Sequence, residues 1–351
     1  MIRAATTALV LLLIAVSSAY ATTWVVDLGG GGDFYTINEA VFAAASSDTI
    51  SVMPGEYSGP QNTGIDLLGK NLVILSSAGP ELTVIDGGGI ARGFYIHSGE
   101  NETALIEGFT IKDGRAEEGG GICVSDTSAC TVRNCIFDGC NTTFTTNTGG
   151  GGVCCRTDSR VYIYDCTFLD NFTGYFGGAA LFMSGSEAII ERCVFENNYS
   201  GISAGAVYVY ADSYAAISFC VFTGNIADGS GGGVLFSNAT GAVEDCTFYG
   251  NTAGSLGGGI CCYQSSPTVF RSIVSHSTDG EGIACVVLGS PSDPYIQHCN
   301  IFANADGDSL CGTYQNNLYE DPLYCDGPAG NFSLCSDSPC LPGNNAWSVS
   351  M

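Results

Sequence analysis

Positive charge is what this chain has least of. Its 351 residues carry 10 Lys+Arg against 35 Asp+Glu, a formal net charge of −25. That balance excludes nucleic-acid binding, which depends on neutralising phosphates. It also repels anionic membranes and polyanionic sugars. Histidine is scarce too, with three residues, and His97 and His276 stand isolated without metal-ligand spacing. Cys154-Cys155 and Cys261-Cys262 lack the doubled CxxC pattern of a zinc site. No metal role is assigned and no cofactor is required. A loosely held Ca²⁺ at Glu117 and Glu118, or at Asp306 and Asp308, is the one ion the acidic runs allow, and neither run is a full Ca²⁺ loop. Past residue 16 there is no apolar run of about 18 to 20 residues, so no transmembrane helix is expected, and no lipid-anchor motif is evident.

Residues 1–21 read as a secretory signal. Arg3 supplies the positive start, residues 8–16 are apolar but too short to span a bilayer, and Ala19-Tyr20-Ala21 fits the cleavage rule. The expectation is a protein secreted to the extracellular space or the cell surface. Length alone allows one or two domains. The division expected here is 1–21 signal, 22–311 repeat stack with its N-terminal cap, and 312–351 irregular C-terminal cap.

What is abundant is glycine, at 49 residues, and a repeat. An apolar residue is followed by Cys three positions on, Phe two further and Asn three further. Val243, Cys246, Phe248 and Asn251 form the clearest of seven copies. The ladder position is occupied by Cys135, Cys166, Cys193, Cys220, Cys246, Ser272 and Cys299, with a weaker copy upstream at Phe109. The steps from Phe109 are 26, 31, 27, 27, 26, 26 and 27 residues. A period in that range signals stacked repeats. One copy is about four residues longer than the others, in the loop around Phe144, and such insertions are common places for function.

Each repeat is expected to supply three short strands, giving a triangular parallel solenoid. Stacked strands lie roughly 4.8 Å apart, so the cysteines of the row are near bonding distance. Their parallel, inward side chains do not suit disulfide geometry. The row is read as buried free thiols filling the core, and disulfides are expected in the tail, among Cys311, Cys325, Cys335 and Cys340. Asn171, Asn198, Asn225, Asn251 and Asn304 form a second row. Asn tolerates left-handed turn angles, and stacked amides can bond along the axis. Asn171 and Asn198 also fit the glycosylation sequon. A glycan could not sit on an inward ladder, so these are read as chance matches in a chain of bacterial source.

Thr36 and Glu39 fit a helix capping box, with Ile37, Ala40, Val41 and Ala44 on one apolar face. A short helix there would cover the open end of the stack. The runs GGGGDFYTINEAV and DTISVMPGEYSG resemble the opening of pectin-lyase-like right-handed β-helix proteins. The fold expected is all-β, a right-handed parallel β-helix with an N-terminal capping helix. Phe168 to Asn171 with Gly177-Gly178-Ala179, and Phe248 to Asn251 with the Gly257 cluster, resemble the repeats of chlamydial polymorphic outer-membrane proteins, which are surface adhesins.

These resemblances frame the search for chemistry. There is no QD-type or GRPW-type segment for a pectin-methylesterase-like site, and no Gly-His-Gly for a polygalacturonase-like one. The residue before each ladder position runs Asn134, Asp165, Arg192, Phe219, Asp245, Arg271, His298. Stacked, Asp245, Arg271 and His298 would place a carboxylate, a cation and a titratable base in one column, with Glu244 beside them. The competing reading is a surface ion-pair column, worth about 0–1 kcal/mol per pair. Asp165 beside Arg192 reads the same way. Aromatic residues at Phe172, Tyr175, Phe176, Tyr199, Tyr208, Tyr210 and Tyr214 fall on adjacent coils and could stack on sugars or a protein surface. The leading expectation is a monomeric, non-catalytic adhesin-like or carbohydrate-binding protein whose partner is an extracellular polysaccharide or cell-surface protein. The alternative is a polysaccharide lyase or hydrolase acting on extracellular glycan.

Overall fold

The computed structural model describes residues 21–142, 149–286, 289 and 291–346. The expected signal segment and the loop around Phe144 lie outside the described residues, apart from Ala21 and Thr142. No helix among the described residues is long and apolar enough to cross a membrane.

The chain winds into a parallel β-solenoid of about ten turns. Four sheets of 12, 10, 9 and 6 strands run along its sides, and all their pairings are parallel. One coil shows the pattern. Arg160–Tyr164 joins the twelve-stranded sheet, Thr167–Leu169 the ten-stranded, Phe172–Thr173 the six-stranded and Ala180–Phe182 the nine-stranded. The three-strand expectation is corrected by the six-stranded sheet. Its strands are only two residues long, too short to show an alternating pattern.

Corners are made by left-handed backbone. Every residue in the position before the ladder has positive φ: Asn134, Asp165, Arg192, Phe219, Asp245, Arg271 and His298 lie between 46° and 55°. That single left-handed residue turns the chain between the twelve- and ten-stranded sheets, so the apolar residue, Cys and Phe can all face inward. A second corner repeats the device at Asp170, Asn197, Gly224 and Gly250.

The core is a set of like-on-like rows. Phe137, Phe168, Phe195, Phe222 and Phe248 stack at centroid spacings of 4.5–4.7 Å. The ladder cysteines are free and buried. They are not merely apolar filler: the Cys166 thiol accepts from the Cys135 backbone N–H at 3.4 Å and donates to the Tyr164 carbonyl at 3.2 Å. Ser272 takes over that role, accepting from the Cys246 N–H at 3.2 Å. Burial pushes the Cys299 thiol up to about 12, which keeps it protonated.

The helix Ile37–Ala43 begins at Thr36, whose hydroxyl accepts from the Glu39 N–H, and Ile37, Ala40 and Val41 enter the core. At the other end the twelve-stranded sheet continues to Thr313–Gln315, just past residue 311. Cys311, from the predicted tail set, is bonded to Cys285 of the last coil. Cys325, Cys335 and Cys340 are free. The tail does two things. Cys340 is buried against Asn300, and Tyr324 and Phe332 fold back along the side onto Tyr249.

Candidate functional site

The strands of the nine-stranded sheet break the usual rule that outward residues are polar. Their central residues point away from the core and line up in register as Tyr95, Cys123, Cys154, Leu181, Tyr208, Leu235, Cys261 and Ala284. Cys123, Cys154, Leu181, Tyr208, Leu235 and Cys261 belong to a second apolar cluster distinct from the main core, with Phe176, Met183 and Tyr263 packed against it. Tyr208 is only 7% exposed. The stripe residues are thus buried, a small second core on the outer side of the sheet, covered by the partly buried Phe176, Met183, Leu256 and Tyr263.

Midway along the stripe lies a cleft of about 240 Å³ lined by Phe176, Leu181, Met183, Tyr208 and Tyr210. Phe176 meets Tyr208 at 5.3 Å and Tyr208 stacks on Tyr210 at 5.5 Å. Tyr175 joins from the side, 6.4 Å from Phe176. Burial raises the Tyr208 phenol to about 12, so its hydroxyl remains a neutral donor. Four of the seven candidate aromatics, Tyr175, Phe176, Tyr208 and Tyr210, are thus adjacent. Tyr199 is elsewhere: it stacks on Phe172 at 5.3 Å in the six-stranded sheet and donates to Asp228 at 2.8 Å. Tyr214 is also apart, on the twelve-stranded sheet.

Toward the N-terminal coils the same face becomes polar, a feature the sequence reading missed. His97 is not isolated: its Nε2 lies 3.2 Å from Asp66 Oδ2 and its ring stacks on Tyr95 at 3.9 Å. The Arg92 guanidinium sits over Tyr95 at 4.4 Å and donates to the Glu118 carbonyl at 2.7 Å. Arg156 Nη1 lies 2.9 Å from Glu118 Oε2. The Cys123 thiol is drawn below its ordinary range, chiefly by a hydrogen bond from Cys154 and secondarily by Arg92 and Arg156, against the effect of burial. The signal was available as a one-coil offset, since Asp66 and His97, like Cys123 and Cys154, are 31 residues apart.

The column before the ladder sits on the opposite side of the coil, at the corner between the twelve- and ten-stranded sheets. Arg271 clamps Asp245 with two bonds, Nε to Oδ1 at 2.7 Å and Nη2 to Oδ2 at 2.6 Å. The guanidinium also covers the Phe270 ring at 4.3 Å, and His298 meets that ring edge-on at 5.5 Å. Both oxygens of Asp245 are therefore engaged, and the hydrogen bonds that Arg271 donates to Asp245 raise the guanidinium pKa. Arg192 clamps Asp165 the same way at 2.6 and 3.2 Å, and also contacts Glu191. Three of the acidic residues named for Ca²⁺, Asp306, Asp308 and Glu118, have partners of their own. Asp308 accepts from Ala303 N, Asn304 N and Asn304 Nδ2, Asp306 from Gly280 N, and Glu118 pairs with Arg156.

In fold the chain is similar to the solved structure of a pectin methylesterase from carrot. That match has 13% identity and a TM-score of 0.42, and covers 93% of this chain and 94% of the other. It is also similar to a rhamnogalacturonan lyase, at 12% identity, TM-score 0.34, and 81% and 69% coverage. No curated protein matches in sequence. The family model described as "Right handed beta helix region" matches residues 82–225 and 200–322. Those matches span well over half of the chain and fall on the coils described above, so the protein belongs to the right-handed β-helix family.

Proposed function

We propose that this protein is a secreted or surface-associated binding protein. It holds a stretch of neutral extracellular polysaccharide along the outer face of the nine-stranded sheet, without turnover and without a required cofactor. The observation that supports the reading best is the cleft of Phe176, Leu181, Met183, Tyr208 and Tyr210 on an outward apolar stripe. Aromatic faces stack on the apolar faces of sugar rings while phenol hydroxyls bond to their edges. A parallel sheet repeats such a position once per coil, which suits a repeating polymer. The net charge of −25 disfavours polyuronates and sulfated glycans. In this reading the Asp245–Arg271 and Asp165–Arg192 pairs stabilise the corner and take no part in binding.

A panel of polysaccharides, assayed both for retention of the purified chain and for release of products, tests the reading. Retention on neutral glycans without new reducing ends or unsaturated products is expected. The second reading, a lyase or hydrolase, draws on the polar, N-terminal end of the same face, which carries the Asp66–His97 and Glu118–Arg156 pairs. Turnover lost in His97→Asn would establish that reading. Turnover lost in Arg271→Ala would place the chemistry at Asp245, Arg271 and His298 instead.

A further inference from the structure

Two thiols and a carboxylate meet on the outer face of the nine-stranded sheet. Cys123 and Cys154 are register partners on adjacent parallel strands, both outward and both buried. Glu118 arrives from the turn that precedes the Cys123 strand. One ligand atom from each of Glu118, Cys123 and Cys154 lies within 4.8 Å of the other two. We propose that these three residues form a binding site for one zinc-type divalent ion, with water or a ligand group at the fourth position.

The donor set fits that class. Thiolate selects soft and borderline metals over Ca²⁺ and Mg²⁺. Three protein ligands with one open position is the common arrangement of a non-structural zinc site. Binding displaces the two thiol protons, so two thiolates and a carboxylate surround the ion with net charge −1. Arg156, 2.9 Å from Glu118 Oε2, and Arg92, bonded to the Glu118 backbone, offset that charge and orient the carboxylate. Elsewhere in the outward column cysteine stands singly: Cys261 has Leu235 and Ala284 as its register neighbours. The pairing, and not the presence of cysteine, distinguishes this position.

The test uses the full chain with the Cys285–Cys311 disulfide intact and Cys123 and Cys154 reduced, carrying Cys325→Ser and Cys335→Ser, which removes the two accessible tail thiols. Zn²⁺ is titrated in competition with a chromophoric chelator, and Co²⁺ is used as a spectroscopic probe. One ion per chain is expected, with thiolate-to-cobalt charge transfer and a tetrahedral d–d spectrum. Cys123→Ala with Cys154→Ala should weaken binding roughly a hundredfold or more, Glu118→Gln roughly tenfold, and Cys261→Ala not at all. Absence of a bound ion, an octahedral cobalt spectrum, or equal affinity in the Cys123/Cys154 variant overturns the site. So does a Cys123–Cys154 disulfide found by peptide mapping of the chain as secreted. If the double variant fails to fold, the cobalt spectrum of the parent decides.

Discussion

Asn198 donates from Nδ2 to Asn225 Oδ1 at 2.9 Å and to the Phe168 carbonyl at 3.0 Å, while its own Oδ1 accepts from both the backbone N–H and the side-chain amide of Asn171. Every polar atom of this fully buried amide is used, and the pattern passes from coil to coil. Replacing it orphans groups on two neighbouring coils. Asn198→Ala should destabilise by roughly 3 kcal/mol or more, because each buried group left unpaired costs about 1–3 kcal/mol. Urea denaturation followed by circular dichroism measures this, and a change under about 1 kcal/mol would mean the ladder is dispensable.

A second prediction concerns backbone proximity. A Cβ on Gly178 would lie 2.0 Å from the Gly205 carbonyl oxygen, and one on Gly205 would lie 2.3 Å from that of Gly232. Neither neighbour is a movable side chain, so adjacent coils must separate. Gly178→Ala should cost about 2 kcal/mol or more, with limited proteolysis cutting first at the coils flanking it.

Acid sensitivity should begin at the N-terminal end. Asp48 accepts from Thr22 N at 2.7 Å, the Trp24 indole at 3.0 Å and Ala45 N at 2.8 Å, and these bonds, Thr22 first, hold its pKa below the ordinary 3.8. A depressed carboxylate contributes stability that is complete above the unfolded value and lost as pH falls through the folded one. The first coil should therefore loosen below about pH 4. Asp48→Asn should lower stability at pH 7 and flatten this dependence, read by hydrogen exchange of the Thr23–Val26 strand.

Arg271→Ala separates scaffold from function. The pair it breaks is partly exposed, with side chains 32% and 18% accessible, so about 1 kcal/mol of stability is expected to be lost. Glycan retention should not change. A large loss of retention would bring the corner column back as the functional site.

The solenoid was legible because its rows repeat. Cys166, Phe168 and Asn171 recur at one-coil spacing, and a period that long admits few folds. The fourth sheet was not legible, because pairs such as Phe172–Thr173 are too short to carry alternation. The column Asp245, Arg271, His298 was read correctly as neighbours in a stack, but its left-handed φ was not foreseen. That backbone turns these side chains toward the corner, away from the cleft. Tyr208 and Tyr210 stand out in the sequence as aromatics, whereas Leu181 carries no such sign, because Ala180–Phe182 has no polar residue to mark its outward side. Asp66 with His97, and Cys123 with Cys154, become neighbours only through the winding, so local motifs could not reveal them.

Calorimetric titration of the neutral oligosaccharide selected by the panel, into the wild type and into a Tyr208→Ala/Tyr210→Ala variant, addresses the cleft directly. Binding by the wild type with roughly tenfold or greater weakening in the variant is predicted, each ring contributing about 0.5–1.5 kcal/mol. Equal affinity in the two folded proteins, or product formation during the titration, would contradict non-catalytic binding at Tyr208 and Tyr210.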